Sequence, residues 1–173
     1  MRLTDELAHE VVYAAAEQES AVGEGFRWIG TPDQADAGQF RDTVSTELGR
    51  APVHLIASGL DAQGALSFAA DEGDRLVSLV LIDPQVDESD PDYWELLGRV
   101  HVPSLVIAAA PEPNSPVAQA QSVAGGIENG VFVIIDGITA PSHRSRPASF
   151  VEWGGAFMVI AEGLAADRLP DHT

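Results

Sequence analysis

A chain of 173 residues, 45% hydrophobic and 21% charged, is long enough for one domain with one core and too apolar for a disordered chain. Its 27 acidic residues against 9 basic ones, all arginine, give a formal net charge of -18, a field that repels phosphate backbones and anionic lipid and argues against nucleic acid or a membrane surface as a partner. Cysteine is absent, which excludes disulfides, thiolate catalysis and cysteine-ligated metal centres.

No apolar run approaches the ~20 residues of a membrane span. The opening Met1-Arg2-Leu3-Thr4-Asp5-Glu6 lacks a basic start followed by an apolar stretch, so no signal peptide is read and a cytoplasmic location is expected. Val11–Ala16 and Phe26–Gly30 are short apolar runs, the second stopped by Thr31-Pro32-Asp33. Gln34–Leu48 predicts an amphipathic helix, with Phe40, Val44 and Leu48 at helical spacing and Gly49 as its stop. Val53–Ala57 is a third strand, and Ala62–Ala70 a helix with Leu66, Ala69 and Ala70 on one face. Leu76–Ile82 is a continuous apolar strand, as expected for one buried on both faces of a parallel sheet. Asp92–Val100 is a short helix, Ser104–Ala110 another buried strand, and Ser115–Ile127 a helix opened by Ser115 as cap and Pro116 as first residue. Val131–Ile135 is the last strand. Pro147–Leu164 is the last helix, with Phe150, Trp153, Phe157 and Ile160 on a stripe read as core, and a loose polar tail follows from Ala165.

This alternation means βαβ units. The expected fold is an α/β three-layer sandwich, a mostly parallel sheet of about six strands in a single domain over residues 1–173. The acidic stretch Asp83–Asp92 follows a buried strand, where such sheets carry functional loops, although a solvated loop has the same composition.

Four segments resemble the α/β-hydrolase fold. Gly25–Asp33 is similar to its "G-F-x-V-I-x-x-D" phrase, and Val53–Ala57 leading into Gly59-Leu60-Asp61-Ala62-Gln63-Gly64 to its strand and nucleophile elbow. Asp74–Asp83 resembles "D-R-V-x-x-L-V-L-I-D". The last match joins Val102–Ile107, Val131–Asp136 and Arg146–Phe150, the "R-P-x-x-F" opening of the final helix. The likeness covers residues 11–160 and departs from the pattern in its loops. The His-Gly loop that helps form an oxyanion hole has no counterpart after Val11–Ala16, and no cap domain fits between Asp83 and Val102.

The resemblance assigns catalytic positions residue by residue. The nucleophile position falls on Asp61, with Gln63 where the family prefers glycine. An aspartate there attacks carbon in the dehalogenase and epoxide-hydrolase branches. Equally, it would cap the Ala62–Ala70 helix, where free N–H groups and the dipole lower its pKa. Glu112 takes the acid position, in a Pro-rich stretch that also reads as an exposed loop. The histidine position falls on Ala140, which carries no proton; His143, three residues on, serves as base only if the loop is rearranged. Its neighbours Arg144 and Arg146 would lower its pKa.

Three readings follow. The first is a trimmed hydrolase-like protein that has lost Ser-His-Asp catalysis, a pseudoenzyme binding a small apolar ligand or acting as an accessory protein. The second is a hydrolase acting on esters, epoxides or halides, with Asp61 as nucleophile, His143 as base and Glu112 as acid. The third is an oligomeric role, a homodimer covering an exposed Val11–Ala16 edge. No cofactor is implied. His9, His54, His101 and His172 show no metal spacing, and His54 reads as a structural strand residue. Asp83, Asp87, Glu88, Asp90 and Asp92 attract cations without fixing a geometry.

Overall fold

The computed structural model describes residues 6–18, 22 and 25–167. Six strands form one parallel sheet: β1 Val11–Ala15, β2 Arg27–Gly30, β3 Val53–Ser58, β4 Leu76–Ile82, β5 Ser104–Ala110 and β6 Gly130–Asp136. Their order across the sheet is β2-β1-β3-β4-β5-β6. Helices α1 Ala37–Glu47, α2 Ala62–Glu72, α3 Tyr93–Gly98 and α4 Ala118–Gly126 alternate with the strands, and a short α5 Ser142–Ser145 leads into α6 Pro147–Asp167. This is the three-layer α/β architecture expected, with every strand pair parallel.

The sheet separates two apolar layers. On one face Val12, Leu55, Leu79 and Val106 pack with Phe40 and Val44 of α1, Leu66 and Phe68 of α2, Leu97 of α3 and Val123 of α4. On the other, Val11, Tyr13, Ile56, Val80 and Ile107 meet Phe150 and Met158 of α6. All seven residues of β4 are buried, which is why its sequence shows no alternation.

Several boundaries differ from the sequence reading. Helix α1 opens at Ala37, because Asp36 accepts from the Gln39 N–H (2.8 Å) while the Gln39 side chain accepts from the Asp36 N–H (3.1 Å). That capping box fixes the start and leaves Gln34 outside, at φ 52. Ser115 does not cap α4: its hydroxyl accepts from the Glu112 N–H (2.9 Å), closing a turn, and the helix begins at Ala118. The Val11–Ala16 edge is not an edge. β1 pairs with β2 on one side and β3 on the other, so the argument for a dimer covering it fails.

The stripe on α6 is also rotated. Burial follows Phe150, Gly154, Met158 and Ala161, whereas Trp153 is 51% and Ile160 61% exposed. α6 packs towards β4, and its flank towards β6 stays open around a 360 Å³ cleft lined by Leu105, Val131, Trp153, Phe157 and Ile160. Trp94 of α3 is 59% exposed. α6 runs to Asp167, into the stretch read as tail. Among the described residues no helix is long and apolar enough to cross a membrane.

Candidate functional site at the carboxyl ends of the strands

The strand order places the site. The chain steps from β1 to β2 in one direction, then crosses back to β3 and continues the other way. Such a reversal opens a crevice at the carboxyl ends of the two strands that flank it, here β1 and β3. Across it the Tyr13 hydroxyl of β1 lies 3.2 Å from the Ser58 Oγ at the end of β3. Burial pushes the Tyr13 phenol above its ordinary pKa, while the Ser58 hydrogen bond and the Arg144 charge pull it back.

Beyond Ser58 the chain turns through one short 3₁₀ segment, Gly59–Asp61, directly into α2. The left-handed backbone that this sharp turn requires falls on Gly59, at φ +57. The Gly59 carbonyl accepts from the Gln85 N–H (2.9 Å), which ties the turn to the loop after β4. A Cβ placed on Gly59 would meet open space within 4 Å. The apex carries no side chain, and no described residue fills the place where one would begin.

Asp61 lies two residues past the apex, partly buried. It occupies the cap position of α2 without a side-chain cap hydrogen bond, its backbone already helical (φ -71, ψ -13). The lowered pKa expected of a cap is reversed: burial raises it.

A second group forms around Asp83, at the end of β4. Asp83 adopts φ 46, a left-handed conformation that aspartate tolerates better than most residues. Its Oδ1 accepts from the Ala109 N–H (2.7 Å), and Oδ2 from the Ser142 N–H (2.6 Å) and Ser142 hydroxyl (2.9 Å). One carboxylate thus joins the ends of β4 and β5 to the start of α5 and fixes the next residue, His143. The His143 ring is 1% exposed and lies between Tyr13 (centroids 5.9 Å) and Phe150 (6.0 Å). Burial lowers its pKa, opposed by the Asp83 charge. The lowering matches the expectation, but its cause is burial and not the neighbouring arginines.

The three residues assigned from the sequence have different surroundings. Glu112 is exposed in the turn closed by Ser115. His143 is buried, and the carboxylate acting on it is Asp83. Among the described residues no hydrogen bond joins His143 to Asp61 or Glu112. Ala140 precedes α5 through a cis bond to Pro141. Tyr13, Ser58 and Ser142 were not assigned catalytic or binding roles from the sequence, and Asp83 was read only as one of an acidic run that attracts cations. Tyr13 lay within an apolar strand and Asp83 within an acidic run, so only the strand order could show them converging.

The six-stranded order, the strand–turn–helix at Gly59 and the short Asp83–Val102 connection without an inserted domain together define a small α/β-hydrolase fold without a cap. The structure superposes on that of a predicted CIB-like hydrolase from Thermoplasma acidophilum with TM-score 0.73 at 13% identity, covering 91% of this chain and 89% of that one. Est1E from Butyrivibrio proteoclasticus is similar at TM-score 0.67 and 12% identity, over 92% of this chain and 91% of that one. A thermophilic esterase from Thermogutta terrifontis is similar at TM-score 0.61 and 14% identity, over 94% and 91%. No protein-family model matches the chain. No curated protein matches it in sequence.

Proposed function

We propose that this protein uses an α/β-hydrolase scaffold to bind a small molecule at the crevice between β1 and β3 without cleaving it by nucleophilic attack. The observation that carries this reading is Gly59. The elbow of such folds exists to hold a nucleophile at a strained apex, exposed to substrate. Here the strained residue has no side chain at all. Tyr13, Ser58 and the half-buried Asp61 bring hydroxyl and carboxyl groups together near the carboxyl ends of β1 and β3, which suits recognition of a polar group on an otherwise apolar ligand.

The test is turnover of short p-nitrophenyl esters by the purified protein. The expected result is no rate above the buffer background. A measurable rate that disappears in Asp61→Asn would overturn the reading.

One observation favours a second reading, a hydrolase acting on esters, epoxides or halides. Asp61 is a carboxylate withdrawn from water close to the turn, and burial lowers the His143 pKa, which favours the neutral form a base needs. Two of the similar structures named above are a predicted hydrolase and a thermophilic esterase. In this reading Asp61 attacks and His143 activates water. Glu112 stands in solvent, so Asp83, which already acts on His143, takes the orienting role. His143→Gln would then remove the same activity as Asp61→Asn.

A further inference from the structure

The opposite end of the sheet holds a second polar cluster. His9 lies just ahead of β1, His54 is the second residue of β3, and Glu162 sits in the last turns of α6. A ring nitrogen of each histidine and a carboxylate oxygen of Glu162 all lie within 4.8 Å of one another. His9 Nδ1 and His54 Nε2 each stand 3.1 Å from Glu162 Oε1. We propose that His9, His54 and Glu162 form a binding site for a divalent ion of the zinc class, clamping the segment before β1 to the end of α6.

The geometry supports this. Ligands bonded at about 2.0–2.2 Å to one ion are separated by roughly 3–3.5 Å, the spacing these side chains already show towards Glu162. Two imidazoles and one carboxylate form a borderline donor set that suits zinc, cobalt or nickel and not the all-oxygen sites of calcium or magnesium. The surroundings supply the outer support such a site needs. His54 is fully buried, and its other nitrogen, Nδ1, lies 2.7 Å from the hydroxyl of buried Ser78. That hydroxyl can donate to Nδ1 when Nε2 carries the proton. It can equally accept from Nδ1–H when Nε2 gives its lone pair to a metal. Glu162 is oriented independently: Oε2 accepts from the Ala8 N–H (2.9 Å) and Oε1 from the His9 N–H (2.8 Å).

Access is present as well. A 730 Å³ cavity lined by His9, Glu162, Leu76 and Val159 opens beside the cluster, so an ion can enter and water can complete its coordination. Three protein donors with water in the remaining positions is a complete zinc sphere. The site is remote from Gly59 and does not depend on either functional reading.

The test is titration of Zn²⁺ into the metal-free full-length protein, with excess Mg²⁺ present to occupy surface carboxylates. Binding is followed by calorimetry and by the nitrogen resonances of the histidine rings. The expected result is one equivalent bound with a dissociation constant in the micromolar range or below. The rings of His9 and His54 shift, and that of exposed His101 does not. His9→Ala, which removes a partly exposed ligand, should weaken binding by about ten-fold or more, and Ser78→Ala by about ten-fold. His101→Ala should change nothing. Absence of saturable binding at roughly 100 µM Zn²⁺, saturation without movement of the His9 and His54 rings, or binding undiminished in His9→Ala would each overturn the proposal and leave a hydrogen-bonded clasp. The ring signals are read on the unmodified protein, so the test survives a variant that fails to fold.

Discussion

Asp61 illustrates how one residue's surroundings reverse a local rule. At a helix start a carboxylate ordinarily gains from backbone N–H groups and the dipole. Asp61 has the position without the cap bond, and burial raises its pKa instead. A group whose pKa is raised on folding favours the folded state below its unfolded pKa, and that advantage disappears as pH rises through the folded value. Once ionised, the carboxylate is therefore a burden on the fold. Asp61→Asn, which removes that charge, should raise the melting temperature at pH 7. The gain should shrink towards acid pH, as thermal melts across pH 3–7 would show. A melting temperature lowered at pH 7 would mean that Asp61 is held by favourable contacts. The sequence offered both a cap and a nucleophile here. It could not supply the withdrawal from water, because that depends on the placing of the segments that bury the site.

Among the elements, strand positions were legible, since a run such as Leu76–Ile82 has little alternative to a buried parallel strand. Helix faces and starts were less so. Trp153 and Phe150 lie on the same sequence stripe, and only the open flank of α6 towards β6 decides that one is buried and the other exposed. The glycines at the two ends of the elbow segment test the local geometry separately. Gly59→Ala puts a Cβ into open space but at φ +57, a conformational cost of about 1–2 kcal/mol. Gly59→Asn should recover part of that loss, because asparagine tolerates the left-handed region. Gly64 has ordinary backbone angles, yet its Cβ would stand 2.6 Å from the Phe40 Cβ, where α2 crosses α1. Gly64→Ala should cost about 1–3 kcal/mol through overpacking. Trimming Phe40 cannot relieve it, since the clash is with the atom nearest the Phe40 backbone. Urea melts of the three variants would check the order. Equal losses at Gly59 for Ala and Asn would remove the backbone argument.

At the scale of the whole molecule, the fold class was legible because alternating strands and helices admit few topologies. The cluster at the other end was not. His9 and Glu162 are separated by 153 residues, and no spacing rule links residues that meet only when β1, β3 and α6 assemble. Net charge, by contrast, needs no structure. The formal charge of -18 makes the compact state repel itself. The ion pairs Arg27–Glu10, Arg41–Asp71, Arg99–Asp71 and Arg75–Glu72 are partly or largely exposed. Such pairs contribute little each, while repulsion among the remaining carboxylates acts across the whole surface. Salt weakens both effects, with a Debye length of about 30 Å at 0.01 M falling to about 10 Å at 0.1 M. Long-range repulsion is the larger and is screened first. Raising NaCl from about 10 mM to about 500 mM should therefore raise the melting temperature by several degrees, each kcal/mol being worth about 2–4 °C in a chain of this size. Calorimetric scans at fixed pH would read it. A melting temperature that falls over the same range would show that the arginine pairs, and not the excess of carboxylates, dominate the electrostatics of this fold.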